Sequence, residues 1–344
     1  MPLLANVIRH RSLAIVGMAK NVGKTVCLNH LLARLWEEGK RVALTSIGLD
    51  GERTDQLLGT PKPEITLRPG AIFATTERHY RQRQFVAEIL DVSDRQTALG
   101  RLVTARAITP GKVILSGAPD TRSMGRWIDD AAALGAEITL VEGALSRLSL
   151  ASPTVAEGII LATGAALSES IPRLVRETRR VYDLMQLPPV DEPARRALAG
   201  IEQGLWAVDD DGRARDLNLP SAFLIAGHKE EILARGNTLF AAGAVTDALL
   251  QFLRVQRSPG GITLVARDFT RIFARGDTCR AFLEAGGQLR VLLPATLLAV
   301  CANPLSPTGF LMNSDELTAA LRETLRVPVY DIKRIDETCY SKTR

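Results

Sequence analysis

Gly17-Met18-Ala19-Lys20-Asn21-Val22-Gly23-Lys24-Thr25 is the stretch of this chain whose residue types and spacing bear most directly on chemistry. Glycines let a backbone turn tightly enough for its N–H groups to converge on phosphate oxygens, and a helix starting there adds partial positive charge. In that arrangement Lys24 reaches the β- and γ-phosphates of a nucleotide and Thr25 holds Mg²⁺. The expected contact set is Gly17, Lys20, Asn21, Val22, Gly23, Lys24, Thr25 and Val26. Five residues separate Gly17 from Gly23, whereas the common phosphate loop has four; that spacing marks a subgroup.

Three acidic positions fall where such a site needs them. Glu142, in Val141-Glu142-Gly143, and Asp120, in Gly117-Ala118-Pro119-Asp120, each follow an apolar run. Open parallel sheets bind ligands beyond the carboxyl ends of their strands, and Mg²⁺ takes oxygen ligands while keeping several waters. Glu142 is read as a metal ligand against the alternative of a surface glutamate; for Asp120 the two readings stay level. Asp50, in the acidic loop Gly48-Leu49-Asp50-Gly51-Glu52-Arg53-Thr54-Asp55, is the first choice for a further metal-side or water-orienting carboxylate, ahead of Glu52 and Asp55. The alternative there is a solvated turn. Asn303 follows another apolar run and precedes Pro304; its amide can read a nucleobase edge or serve as a turn former.

The elements that must position these groups are legible as an α/β pattern. Leu13-Ala14-Ile15-Val16 reads as a buried strand feeding the loop, and Leu28, Leu31, Leu32, Leu35 and Trp36 recur at helical spacing before Gly39. A second strand at residues 41–47 completes a right-handed βαβ unit with parallel strands. Further strands are expected at 112–116, 137–141, 158–163, 222–225, 262–265, 289–293, 297–301 and 327–330. The Pro/acidic stretch at 187–193 reads as a connector. It divides a core at 1–187 from an α/β half at 188–335, followed by a polar tail at 336–344. If Asn303 reads the base, the two halves share one sheet.

Bulk properties exclude several classes. The net charge of +5 comes from 43 basic and 38 acidic residues spread along the chain, which argues against nucleic acid as partner. Cys27, Cys279, Cys301 and Cys339 are far apart and form no metal-ligand spacing, so a reducing cytoplasm is expected. No apolar run reaches membrane-spanning length. His30 reads as a solvated or capping histidine on the polar side of the first helix, and His10, His79 and His228 have no Ser or Cys at recognisable spacing, so a nucleophilic triad is rejected. The basic runs Arg78–Arg83 and Arg173–Arg180 read as solvated helix faces.

Two resemblances follow from these residues. Gly17-(five residues)-Gly23-Lys24-Thr25-Val26 and Val141-Glu142-Gly143-Ala144 resemble the phosphate loop and metal-site motif of dethiobiotin synthetase and related SIMIBI-class P-loop proteins. The resemblance implies a P-loop NTPase fold, a mostly parallel sheet flanked by helices, with ATP and Mg²⁺ as ligands. It further implies Lys24 on phosphate, Thr25 and Glu142 on Mg²⁺, Asp50 as third carboxylate and Asn303 at the adenine. The chain departs from that family where Leu44-Thr45-Ser46-Ile47-Gly48 lacks a substrate lysine, and where Leu145 and Ser146 replace two glycines.

Over nearly the full length the chain is similar to the ATPase-like subunit of lysine aminomutase reactivases. The residues that carry this are Gly17–Thr25, Thr45–Glu52, Ala242-Gly243-Ala244-Val245-Thr246-Asp247 and Asn303–Gly309. That resemblance implies an ATP-dependent factor that restores an adenosylcobalamin enzyme by exchanging a damaged cobalamin, working with a MutS-like subunit; apart from the resemblance, a homodimer is allowed for. Lys24, Asp50 and Asp120 are the expected catalytic groups. A carboxylate-activating ligase and a nucleotide-binding regulator without turnover are the alternatives.

Overall fold

The computed structural model describes residues 2–46, 65–97, 99–144, 152–209, 211–219, 237–256, 261–331 and 333–334. The chain divides into two compact units, 1–179 with 296–344, and 180–295. In chain order the elements begin α1 (Pro2–Val7), β1 (Ser12–Gly17), α2 (Lys24–Glu37), β2 (Val42–Ser46), β3 (Ile65–Leu67), β4 (Ile72–Thr76), α3 (Glu77–Arg81), β5 (Ala87–Thr97), β6 (Gly100–Ala107) and β7 (Gly111–Val113). They continue with α4 (Thr121–Ala133), β8 (Ile138–Ala144), β9 (Gly158–Gly164), α5 (Ile171–Met185), α6 (Glu192–Leu198), β10 (Leu205–Val208), β11 (Ala214–Leu219) and β12 (Thr238–Ala241). The last are α7 (Asp247–Arg254), β13 (Thr263–Ala266), α8 (Gly276–Glu284), β14 (Gln288–Val291), β15 (Leu297–Asn303), α9 (Ser314–Thr324) and β16 (Val329–Asp331).

The first unit is built on a nine-stranded sheet ordered β16-β15-β9-β1-β8-β2-β4-β6-β5. From β16 to β4 the neighbours pair in parallel, and the β5–β6 hairpin extends the sheet antiparallel. β8 stands between β1 and β2 and is parallel to both, so the βαβ unit of the sequence spans an intervening strand. Leu13-Ala14-Ile15-Val16 is continuously apolar because the sheet is covered on both faces. Toward one face, Leu28, Leu31, Leu32 and Leu35 of α2 pack with Leu44, Phe73 and Leu140; toward the other, Met124, Trp127 and Ile128 of α4 pack with Ala43, Ala74 and Val141. Alternate residues of β2, β4 and β8 thus serve opposite layers, as the two-residue strand period requires.

The second unit carries a five-stranded sheet ordered β11-β10-β12-β13-β14. β12, β13 and β14 are parallel, and β10 runs antiparallel to β11 and β12. Leu249 and Leu253 of α7 and Phe282 of α8 pack with Leu239, Leu264 and Leu289, whereas Leu198 of α6 packs with Phe240 and Val265.

Residues 296–331 return to the first unit, where β15 pairs with β9 and β16 with β15. The compact second unit is therefore an insertion that begins within α5 and ends before β15, and the sheet of the first unit takes strands from both sides of the 187–193 connector. Expected strands at 137–141, 158–163, 262–265, 289–293, 297–301 and 327–330 overlap β8, β9, β13, β14, β15 and β16. Residues 222–225 lie outside the described residues. The stretch expected as a strand at 112–116 forms a ladder only through Val113. Beyond it, the Ser116 amide donates to the Ala74 carbonyl at 3.1 Å and the Thr45 hydroxyl to the Ser116 carbonyl at 3.3 Å. Residues 114–117 thus touch the carboxyl ends of both β2 and β4. Among the described residues no helix is long and apolar enough to cross a membrane.

Candidate functional site

β1 is buried along its whole length and is flanked by β8 and β9, with Gly17 opposite Ala144 and Ala162. The loop therefore leaves from the middle of the sheet at the carboxyl edge of its parallel strands, where open sheets bind ligands. The Met18 amide extends the ladder by donating to the Ala162 carbonyl at 2.9 Å. The chain then turns through two left-handed positions, Asn21 at φ 60° and Gly23 at φ 92°, while Val22 is buried. α2 begins at Lys24, and its N-cap, Gly23, offers no side chain to the first-turn N–H groups. A half-buried helix start without a capping side chain or acidic first turn suits an anion.

Lys24 curls back over the loop. Its Nζ donates to the Ala19 carbonyl at 3.1 Å, and a Cβ added to Gly17 would lie 2.5 Å from its Cδ and 2.8 Å from its Nζ. Glycine at 17 is what makes room for the lysine chain. One residue on, the Thr25 hydroxyl donates to Glu142 Oε1 at 2.9 Å across 117 residues of sequence. Glu142 reaches it from β8, where it stands opposite Ile15 and Ser46.

Asn303 ends β15 and is 8% exposed. Its Nδ2 donates to the Asn21 carbonyl at 3.3 Å, and its Oδ1 accepts from the Leu305 amide at 3.3 Å. Asn303 is thus brought to the loop, with its amide engaged by backbone on both sides. Behind the loop, Cys27 and Cys301 lie with their sulfurs 3.4 Å apart in the core. The hydrogen bond to Cys301, followed by burial, pushes the Cys27 thiol well above its ordinary value; the Glu142 charge adds to the same effect.

Asp120 is the N-cap of α4: its Oδ1 accepts from the Ser123 amide at 2.8 Å and its Oδ2 from the Ser123 hydroxyl at 2.9 Å. Both oxygens serve the helix start, a role that Asp fills by ordinary preference. Lys20 is exposed and Val26 half-buried against the core. Asp50, Glu52, Asp55, Leu145 and Ser146 lie outside the described residues.

The structure also joins groups that sequence spacing did not. His79 Nδ1 lies 3.2 Å from the Thr76 hydroxyl and 3.4 Å from Ser116 Oγ, all buried at the carboxyl ends of β2 and β4. Ser116 reaches His79 only because residues 114–117 meet both strands, which no local spacing announces. Glu169, in the loop after β9, accepts from the Ser306 hydroxyl at 3.1 Å and the Thr308 hydroxyl at 2.9 Å, tying down the loop after Asn303. Arg83 stacks on Tyr80 at 3.7 Å, and Tyr80 and His79 are buried, so that basic run is only partly a solvated face.

Among the described residues no three His, Cys, Asp or Glu side chains stand together as a metal cage. The donors at the loop are instead one hydroxyl and one carboxylate, hard oxygens that fit Mg²⁺ completing its shell with phosphate and water, and do not fit zinc. An open cleft of about 520 Å³ in the second unit, lined by Leu253, Gln256, Ile262 and Phe282, shares no residue with the loop. No protein-family model matches the chain, and no curated protein matches it either.

Proposed function

We propose that this chain binds a nucleoside triphosphate with Mg²⁺ at Gly17–Thr25 and hydrolyses it, using the energy to remodel a protein client. The observation that carries the reading is the Thr25–Glu142 hydrogen bond. It joins the first turn of a helix that follows a glycine loop to a carboxylate on the adjacent parallel strand. A packing turn needs no such convergence; a phosphate-bound cation does.

The chain's own groups have separable tasks. Backbone N–H groups of the loop and the start of α2 bind and orient phosphate oxygens. Lys24 exchanges its Ala19 carbonyl for a phosphate oxygen and so carries positive charge to the transferring group. Thr25 and Glu142 would hold Mg²⁺, which when bound supplies further positive charge on the phosphates. Asp120 is committed to α4, so Asp50 is the carboxylate proposed to orient water. Loops that order around the γ-phosphate and relax after its loss convert turnover into movement.

The client class comes from the resemblance to aminomutase reactivases: an adenosylcobalamin-dependent aminomutase, served together with a MutS-like subunit in the cytoplasm. The test is phosphate release from Mg·ATP by wild type and Lys24→Ala, alone, with small carboxylic acids, and with a cobalamin-inactivated aminomutase plus a MutS-like subunit. Stimulation by the proteins that disappears in Lys24→Ala is expected. Stimulation by a small acid alone supports a carboxylate-activating ligase instead, and ATP binding without Lys24-dependent release in any arm supports a regulator.

A further inference from the structure

We propose that Asn303 is the positioning residue that holds the phosphate loop in its binding shape, so that its effect is on phosphate recognition rather than on the choice of nucleobase. This rests on the nucleotide reading of Gly17–Thr25.

The loop has one residue more than the common spacing, and its backbone turns through the left-handed region at Asn21 as well as at Gly23. A side-chain-bearing residue at positive φ costs free energy and persists where its surroundings hold it, Asn being among the residues that tolerate it best. What holds Asn21 is visible: its carbonyl accepts from Asn303 Nδ2 at 3.3 Å. Asn303 is itself clasped. Its carbonyl accepts from the Ala165 amide at 2.9 Å, and its Oδ1 accepts from the Leu305 amide.

Two glycines make the approach possible. A Cβ on Gly23 would lie 3.2 Å from Asn303 Cβ, tighter than most real contacts, and a Cβ on Gly164 would collide with the Asn303 backbone carbonyl. β15 is thereby pressed between the phosphate loop and the end of β9, with the amide turned onto loop backbone. The Glu169 bonds to Ser306 and Thr308 brace the chain just beyond it. Each link joins backbone segments that would otherwise move independently, and the phosphate-binding N–H groups lie on the segment so held.

The discriminating ligand is inorganic tripolyphosphate, which has phosphates and no base. Affinities of tripolyphosphate, ATP and GTP are measured with Mg²⁺ for wild type, Asn303→Ala and Asn303→Asp, together with the ligand-free thermal midpoint. Removal of one hydrogen bond predicts a loss of roughly two- to tenfold in Asn303→Ala. The loss should be shared equally by all three ligands, with an unchanged ATP-to-GTP ratio. Asn303→Asp keeps the volume and the Leu305 bond but sets a carboxylate against the Asn21 carbonyl. It should lose at least as much, and it carries the test if the alanine variant does not fold. Loss confined to ATP, with tripolyphosphate untouched, makes Asn303 a base reader and overturns the proposal, as does no loss for any ligand. A wild-type protein that binds neither ATP nor tripolyphosphate overturns the nucleotide reading and the proposal with it.

Discussion

Replacing Gly17 by Ala isolates the contribution of the lysine chain that lies over it. The added methyl carbon would stand 2.5 Å from Lys24 Cδ, 2.6 Å from Cγ and 2.8 Å from Nζ, all under the 3.0 Å that real Cβ atoms keep. Gly17 has no positive φ, so its backbone accepts alanine, and the three nearest atoms to the added methyl all belong to Lys24. The cost therefore falls on the lysine: its Cγ, Cδ and Nζ must move, and Nζ leaves the Ala19 carbonyl. That bond's loss is offset by the roughly 0.4–1 kcal/mol that Gly→Ala recovers from the unfolded chain. Folding stability should stay within about 1 kcal/mol of wild type. A displaced Lys24 forfeits a charge-assisted bond to phosphate of about 1.5–3 kcal/mol, roughly ten- to a hundredfold in affinity. Calorimetric titration of Mg·ATP, with urea unfolding of the same preparation, checks both halves. Affinity within twofold of wild type would refute the argument that Lys24 reaches phosphate across Gly17.

Gly117→Ala should destabilise the first unit by about 3 kcal/mol or more, because the new methyl would collide with the Ser46 backbone carbonyl; an unchanged urea midpoint would contradict the contact of residues 114–117 with β2. Leu31→Ala removes a side chain that is 1% exposed in the core and should cost about 2–5 kcal/mol in urea unfolding. Glu137 is held at a pKa of about 2, first by the Arg41 amide and then by Lys40, against an ordinary 4.5. A depressed carboxylate stabilises above its unfolded pKa, and that stabilisation is lost as pH falls through the folded one. The midpoint gap between wild type and Glu137→Gln should therefore be full at pH 6 and shrink on acidification below 4.5; a gap that grows in acid would reverse the assignment. Cys27, Cys279 and Cys301 are buried, and burial or thiol hydrogen bonding raises Cys27 and Cys279. They should react with a disulfide reagent only as the protein unfolds, followed by mass spectrometry of labelled peptides.

Where the determinants are local, the sequence carries them. The run Leu13–Val16, the glycine loop, the helical leucines and Gly39, whose φ of 70° closes α2, sit next to one another in the chain and are found as β1, loop and α2. The β5–β6 hairpin was not legible because Glu88, Asp91 and Asp94 break the apolar pattern in a strand at the sheet edge. Thr25 meets Glu142 across 117 residues, which spacing along the chain cannot announce; the place of Glu142 after an apolar run and the likeness of the Val-Glu-Gly-Ala motif point to it instead. Asp120 is ambiguous in the sequence because Asp is a preferred N-cap residue and also follows an apolar run; the structure shows it capping α4. The position of Asn303 after a strand is plain in the sequence, but its partner Asn21 depends on β15 lying beside β9, which in turn lies beside β1.

A magnesium-dependent nucleotide site at Gly17–Thr25 is tested by the ATP affinity of wild type and Thr25→Val, each with Mg²⁺ and with chelator. The wild type should bind ATP saturably and tighten when Mg²⁺ is present, and Thr25→Val should lose that tightening while retaining its affinity in chelator. Absence of saturable binding, or equal tightening by Mg²⁺ in both proteins, would contradict the claim.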